Sequence, residues 1–241
     1  MYARRIVSEE QTLTLTFAVS GKLWHRSLVM IDVETESLWS HILGKSMAGK
    51  LMDLQLEVLP GLMTDWKTWR QRHPNTTVLD LSRTSQEYRR EFYQNPSQFV
   101  IGVSEGKAAK SWSFDVLAKQ PVVNDHFDGV PVLIAFDNQS KTAFLYDRRM
   151  EGATLEFMAD EGVIKDRGTG SQWDSVTGRC VSGSRSGQVL PLIPAIISFR
   201  ETWRSFHPEG EEYRDDLYPT KMSRTTLPCT SVKRKSRPRY R

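Results

Sequence analysis

Apolar and polar residues alternate along much of this chain, in short stretches bounded by turn-forming residues. Leu13, Leu15 and Phe17 fall on one face of an extended segment, and threonines fall on the other face. A period of two is the pattern of a half-buried β-strand. Val130–Phe136 is an apolar run of strand length. These patterns predict a mainly β protein.

One short segment of the first half has a helical period instead. Leu62, Trp66 and Trp69 recur at the spacing of a single helix face. Thr64 is the predicted cap of this helix. Asp65 suits its first turn, because the helix dipole favours a negative charge there.

A second helix is predicted near the end of the patterned region. Ser198 precedes Glu201 by the spacing of a capping box, ahead of Trp203 and Phe206. Both helices are expected to stop before a His-Pro pair, because the residue that precedes a proline is pushed out of the helical region.

The chain contains an internal repeat, since the segment Asp32–Pro74 aligns without a gap on Asp166–Pro208. Upstream, Tyr2–Arg5 matches Tyr146–Arg149. Four polar and aromatic positions of the first copy recur in the second, and two glycines recur with them. The first set is Asp32, Thr35, Ser37, Trp39, Gly44 and Gly49, and the second is Asp166, Thr169, Ser171, Trp173, Gly178 and Gly183.

Self-similarity of this kind predicts one structural module used twice. We place the first copy at residues 1–79, a connecting segment at 80–98, the second copy at 99–213 and a tail at 214–241. The predicted fold is mainly β with a few short helices (α+β), in which the two tandem copies pack as a pseudo-twofold unit. A hairpin ahead of Tyr146 is expected to have its counterpart before Tyr2, so the first copy is predicted to be incomplete at its start.

The net charge of +4 is misleading, because basic residues are concentrated after Leu217, where no acid occurs. This composition predicts a disordered, solvated tail, with weak contact to nucleic acid or an anionic surface as the alternative. No apolar run has the length of a membrane span, and no signal peptide is present, so the default compartment is the cytoplasm. Cys180 and Cys229 form no C-x-x-C pair, so no disulfide framework is predicted.

The repeated motifs resemble those of the bacterial and archaeal domain-of-unknown-function 3179 family. The resemblance is carried by six pieces of the sequence. They are Leu15–Phe17 with Val19–Gly21, Ser27–Met30, Thr35–Ser40, Trp66-x-x-Trp69 with His73-Pro74, Val122–Asp125 and Thr169–Asp174. The family pattern typically includes a Cys-Pro-x-Cys segment just before the position of Tyr2. This sequence starts after that position, so the resemblance assigns no thiol or metal chemistry. It implies either a shortened member or a start upstream of Met1, and an exposed sheet edge in the first copy.

Candidate chemistry centres on the segment from Asn124 to Gly129, which is read as a hairpin turn. Asn, Asp and Gly are common turn residues, although a hard metal ion could use the same oxygens. Asp125 is the better candidate for a functional role, because the family motif includes it. Arg148 is a candidate for binding a carboxylate or a phosphate, with ion pairing inside the fold as the alternative.

His73 and His207 end the two predicted helices. A cation is favoured at that end of a helix, so a structural role and acid–base chemistry both stay open. The repeated Asp, Thr, Ser and Trp positions are expected to tie down a turn and to pack the core, with a ligand gripped between the copies as the alternative.

No complete catalytic constellation occurs in the sequence. We therefore predict a binding or scaffold domain with a ligand cleft between the two copies. The alternative is a metal-dependent or redox-associated enzyme with its site near the Asn124-Asp125 hairpin. The sequence assigns no catalytic residue, metal, cofactor or partner.

Overall fold

A computed structural model describes residues 1–7, 12–78, 95, 98–160 and 163–215 of the chain. The predicted connecting segment and the basic tail lie almost wholly outside these residues, so the predictions about them stay predictions. Within the described residues no helix has both the length and the apolar character that a membrane span requires.

The first module copy is a small antiparallel meander closed by a short helix. A two-stranded hairpin precedes four strands that pair in chain order. The elements are β1 (Arg5–Val7), β2 (Thr12–Thr14), β3 (Phe17–Trp24), β4 (Ser27–Asp32), β5 (Leu38–Ser40), β6 (Ser46–Ala48) and α1 (Trp66–Arg72). The strand β3 lies at the edge of its sheet.

The second module copy starts with elements for which the described part of the first copy shows no counterpart. These are β7 (Phe99–Glu105), β8 (Ala108–Ser113), α2 (Phe114–Leu117), β9 (Val122–Phe127), β10 (Val130–Asp137) and β11 (Thr142–Asp147). The last three strands form an antiparallel sheet with β10 in its centre.

The rest of the second copy repeats the first. A short hairpin again precedes a four-stranded meander and a helix. The elements are β12 (Arg149–Met150), β13 (Ala153–Thr154), β14 (Phe157–Asp160), β15 (Val163–Asp166), β16 (Gln172–Trp173), β17 (Cys180–Ser182), β18 (Ile196–Phe199), α3 (Arg200–Phe206) and β19 (Glu211–Glu212). The prediction of a mainly β chain built from two tandem modules is confirmed.

The central strand β10 is buried on both faces. Val132 and Ile134 pack into a core with β7 and β8, whereas Leu133 and Ala135 pack into a second core under the β14–β17 meander. Burial on both faces explains why this strand is apolar at successive positions rather than at alternate ones. The first copy has a much smaller core, whose buried residues are Leu15, Trp39 and Leu56.

The sequence predicts a turn that includes Asn124–Phe127, but the structure places these residues in β9. Only Asp128 and Gly129 turn the chain, and both have positive φ. Turn propensity was outweighed here by contacts of the Asn124 and Asp125 side chains with distant residues, described below.

The helix starts also differ from the prediction. Asp65, not Thr64, caps α1 by accepting a hydrogen bond from the Thr68 amide at 2.9 Å. The helix begins at Trp66, so Leu62 lies outside it. In the second copy Phe199 occupies the cap position of α3 without a side-chain hydrogen bond, and Ser198 is paired in β18 instead. Ser198 is therefore used in sheet pairing and does not cap the helix.

The repeated Gly178 is needed because an aromatic ring lies against it. A Cβ at this position would lie 2.7 Å from Cε1 of Tyr146, and the residue has φ of 64°. In the first copy Gly44 makes the same approach to the ring of Tyr2, with φ of 63°. Each copy therefore contains the same packing contact between its tyrosine ring and its glycine.

The variant Gly178→Ala is expected to destabilise the protein more than Gly170→Ala. Both glycines have positive φ, so each alanine incurs about 1–2 kcal/mol of backbone strain. No atom lies within 4 Å of a Cβ at Gly170, whereas Gly178 faces the Tyr146 ring. We expect a further loss of about 1–3 kcal/mol for Gly178→Ala. Urea denaturation measures both, and equal losses would contradict the ring contact.

Candidate functional site

A buried carboxylate organises the hairpin after β4 in the first copy. The side chain of Asp32 accepts hydrogen bonds from the Thr35 amide at 2.6 Å, the Ser37 amide at 3.1 Å and the Trp39 indole at 2.8 Å. Asp32 and Trp39 are fully buried. One acidic side chain therefore fixes both the turn and the largest residue of the small core.

The second copy repeats this cluster. Asp166 accepts from the Thr169 amide at 2.7 Å, from the Thr169 hydroxyl at 2.9 Å and from the Trp173 indole at 3.1 Å. Burial by itself would raise the pKa of Asp166, but the hydrogen bonds from Trp173 and Thr169 lower it below its usual value. The same balance lowers the pKa of Asp32. Both carboxylates are held ionised by bonds internal to the module.

Asn124 acts as a link between two sheets. Its side-chain amide donates to the Phe157 carbonyl at 2.7 Å, and its side-chain oxygen accepts from the Phe157 amide at 2.8 Å. These two bonds replace a rung of β-ladder between β9 and β14. In the aligned repeat, Phe17 of the edge strand β3 occupies the position of Phe157.

Asp125 is paired with residues of the neighbouring sheet. One of its oxygens accepts from the Lys110 ammonium at 2.9 Å, and the other accepts from the Trp112 indole at 2.9 Å. The side chains of Lys110 and Asp125 are only 14% and 16% exposed. The carboxylate thus already holds a cation of the protein itself.

Arg148 lies beneath β9, the strand that contains Asp125, and its side chain is 1% exposed. Its guanidinium donates to the backbone carbonyls of Val132 at 3.0 Å, Leu155 at 2.7 Å and Asp125 at 3.2 Å. It also forms an ion pair with Glu156. Asn124, Asp125 and Arg148 are therefore brought together, as one network that joins the sheets of the second copy.

The two helix-end histidines lie apart from that network, each against a tryptophan of its own helix. The ring centroids of Trp69 and His73 are 4.0 Å apart, and those of Trp203 and His207 are 4.2 Å apart. The Nε2 atom of His207 is buried without a hydrogen bond. This burial lowers the pKa of His207.

Each copy extends its closing helix towards the other copy. Arg72 at the end of α1 lies 3.7 Å from the carboxylate of Asp174. Phe206 at the end of α3 contacts Trp24 of β3, with ring centroids 4.8 Å apart. These reciprocal contacts define the boundary between the copies.

A cavity of about 560 Å³ lies at this boundary and is lined by both copies. The lining residues of the first copy are Met1, Tyr2, Arg26–Leu28, His41, Ile42 and Gly61–Met63. Those of the second copy are Phe99, Ala195–Phe199 and Thr202. None of the five sequence-predicted candidates, Asn124, Asp125, Arg148, His73 and His207, lines it.

The cavity carries a few polar groups in a mostly apolar wall. The Ser27 hydroxyl lies 3.2 Å from Nδ1 of His41, and partial burial lowers the pKa of that histidine. The Tyr2 hydroxyl donates to the Ile42 carbonyl at 2.5 Å. Tyr2 lies in the repeat and Ser27 in a family motif, but neither pattern places them beside His41 and Ile42, because it is the pairing of the strands that brings these residues together.

The described residues contain no group of three or more His, Cys, Asp or Glu side chains arranged to hold a metal ion. The hydroxyl-bearing and acidic residues of the repeats are instead bound to one another. The inter-module cavity therefore has space for a ligand, and few of its lining side chains are committed to other contacts.

Replacing Asp125 by alanine is expected to lower the free energy of unfolding by about 2 kcal/mol or more. The variant leaves the buried Trp112 indole without an acceptor, and it leaves Lys110 with only the more distant carboxylate of Glu211, at 3.5 Å. Asp160→Ala is the control, because Asp160 is also a strand carboxylate paired with a lysine, but it is 41% exposed. We expect a loss below about 1 kcal/mol there. Chemical denaturation compares the two, and an unchanged Asp125→Ala stability would show that its carboxylate is not structural.

Stability is expected to fall on mild acidification, through His207 among other groups. Its folded pKa lies below the unfolded value of about 6.5. The unfolded chain therefore binds the proton more readily, and stability is lost as the pH falls from 6.5 towards the folded pKa. The variant His207→Phe keeps a ring against Trp203 but does not titrate. It should show a shallower loss of melting temperature between about pH 7 and pH 5, and an unchanged pH profile would contradict this assignment.

A family model described as protein of unknown function (DUF3179) matches residues 1–99 and again residues 92–238. Comparison with curated proteins finds no match. Comparison with solved structures finds none. The two family matches follow the internal repeat and together cover nearly the whole chain, which confirms the resemblance read from the motifs. The chain therefore belongs to the family described as protein of unknown function (DUF3179).

Proposed function

We propose that this protein is a binding domain that takes a small, largely apolar ligand in the cavity between its two module copies. The observation that carries the proposal is the cavity of about 560 Å³ lined by residues of both copies. Its volume falls within the range of about 300–1,000 Å³ that is usual for small-molecule sites, and such sites are frequent between domains.

The wall chemistry suits an apolar body. Leu28 and Ile42 from the first copy face Phe99 and Ile197 from the second, so an apolar ligand would be enclosed from two sides. Removing such a surface from water stabilises the bound state by about 25 cal/mol per Å². The Ser27–His41 pair offers a polar contact that orients the ligand.

The contacts of Asp125 favour this proposal over a metal-dependent or redox-associated enzyme with its site near Asn124 and Asp125. Both oxygens of the Asp125 carboxylate already accept hydrogen bonds, one from Lys110 and one from Trp112. A metal ion would have to displace the lysine, and the buried indole would lose its acceptor. A ligand in the inter-module cavity would leave these contacts of Asp125 in place.

Filling the cavity is expected to abolish binding of an apolar probe. Ala195 lines the wall and has a small side chain, so Ala195→Phe places a ring in the space that a ligand would occupy. Nile red, which is uncharged and fluoresces in apolar surroundings, is the probe. We expect wild-type protein to bind it and Ala195→Phe to bind it at least about tenfold more weakly.

The matched control is Ala153→Phe, because Ala153 is an exposed residue of β13 outside the cavity. This variant should bind Nile red as the wild type does. Melting temperatures of both variants establish that they are folded. Failure of the wild type to bind the probe, or equal binding by folded Ala195→Phe, would overturn the proposal.

A further inference from the structure

A second recess continues from the inter-module cavity, with a volume of about 800 Å³. Arg26, Phe199 and Thr202 line both spaces and therefore stand where the two meet. The polarity of the lining side chains changes across this boundary. The inner cavity is mostly apolar, whereas the recess is lined by charged and hydroxyl side chains, among them Arg200, Arg204 and Ser205.

Arg26 is held at the boundary by a tight hairpin turn. His25 and Arg26 join β3 to β4 with φ of 45° and 63°. Positive φ at both central residues is the geometry that two-residue hairpin turns favour. The rings of Trp24 and His25 contact Phe206 of α3, with centroids 4.8 Å and 5.4 Å apart. The turn is thus fixed against the other module copy.

Within the described residues no carboxylate forms an ion pair with Arg26. By contrast, Arg200 and Arg204 both contact the carboxylate of Glu212, the latter at 2.7 Å. The Nε atom of Arg200 is nevertheless buried without a hydrogen bond. The recess therefore places Arg26 beside an apolar cavity. The guanidinium groups of Arg200 and Arg204, which also line the recess, are already paired with carboxylates, among them the lining residue Glu201.

A guanidinium forms its strongest hydrogen bonds with carboxylates and phosphates. We infer that the ligand is an amphipathic anion, whose aliphatic body fills the inner cavity and whose carboxylate or phosphate head binds Arg26. The inference rests on the proposed function and deepens it, because it names the chemistry of the ligand. The hydroxyl of Thr202, at the same boundary, is placed to share the head.

The test is displacement of Nile red from the full-length protein by three ligands that have the same ten-carbon chain. Decanoate and decyl phosphate carry an anionic head, and decanol carries none. Each is used at about pH 8 and below the concentration at which it aggregates. We expect at least one anion to displace the probe at about tenfold lower concentration than decanol, since a charge-assisted hydrogen bond contributes that much.

The variant Arg26→Met should abolish this preference, so that neither anion displaces the probe at a lower concentration than decanol does. Arg167→Met is the control, because Arg167 is an exposed arginine in the turn after β15 and outside both spaces. It should keep the wild-type preference. The better of the two anions identifies the head as carboxylate or phosphate.

Two results would overturn the inference while leaving the proposed function intact. One is equal displacement by decanol and by both anions in the wild type. The other is a preference for an anion that survives in Arg26→Met. A wild-type protein that binds no Nile red at all would instead overturn the proposed function, so the two failures are distinguishable.

Discussion

The architecture depends on a buried carboxylate that has to be satisfied, once in each module copy. Asp32 and Asp166 lie in the protein interior, where an unpaired charge is very unfavourable. Each is therefore surrounded by donors from its own hairpin, of which the tryptophan indole is the most distant in sequence. The tryptophan in turn packs the core beneath the meander. The aspartate, the donors of its hairpin and the tryptophan thus depend on one another, which explains why they recur together in both copies.

The two copies use this unit in different settings. In the second copy Asn124 attaches the meander to the central sheet, and Arg148 ties the strands beneath it through three backbone carbonyls. The described part of the first copy has a small core and leaves β3 at the sheet edge. Its helix and its β3–β4 turn lie against the second copy. The stability of the first copy is therefore expected to depend on that contact.

The residues with the most conspicuous sequence motifs turn out to be the most fully occupied. Asp125 holds Lys110 and Trp112, and Arg148 is enclosed by carbonyl groups and Glu156. The inter-module cavity, in contrast, is lined by residues that no motif indicated as a site, such as Ser27 and His41. The binding role that we propose for the boundary fits this division, because the duplicated residues are committed to the fold and the residues that line the space between the copies are not.

Local chemistry made much of the fold predictable from the sequence. The period of two predicted the strands, the repeat predicted two modules, and the His-Pro pairs marked where both helices end. The start of α1 was wrongly predicted by one residue, because Asp65 rather than Thr64 accepts the capping hydrogen bond. The start of α3 and the segment from Asn124 to Phe127 were wrongly predicted because sheet pairing and distant side chains outweigh local propensity there. A carboxylate that reads as a turn residue becomes a strand residue once Trp112 and Lys110 lie beside it.

The sequence by itself determined the module, its repetition and the residues that must be satisfied inside it, because those interactions join positions close together in the chain. Only the tertiary structure decided which surfaces of the two copies face each other and how much space lies between them. Arg26, Ser27 and Phe199 are far apart or unremarkable in sequence, and they line one cavity only after both copies have packed. The contacts that create this space are between modules, and a pattern confined to one module does not encode them.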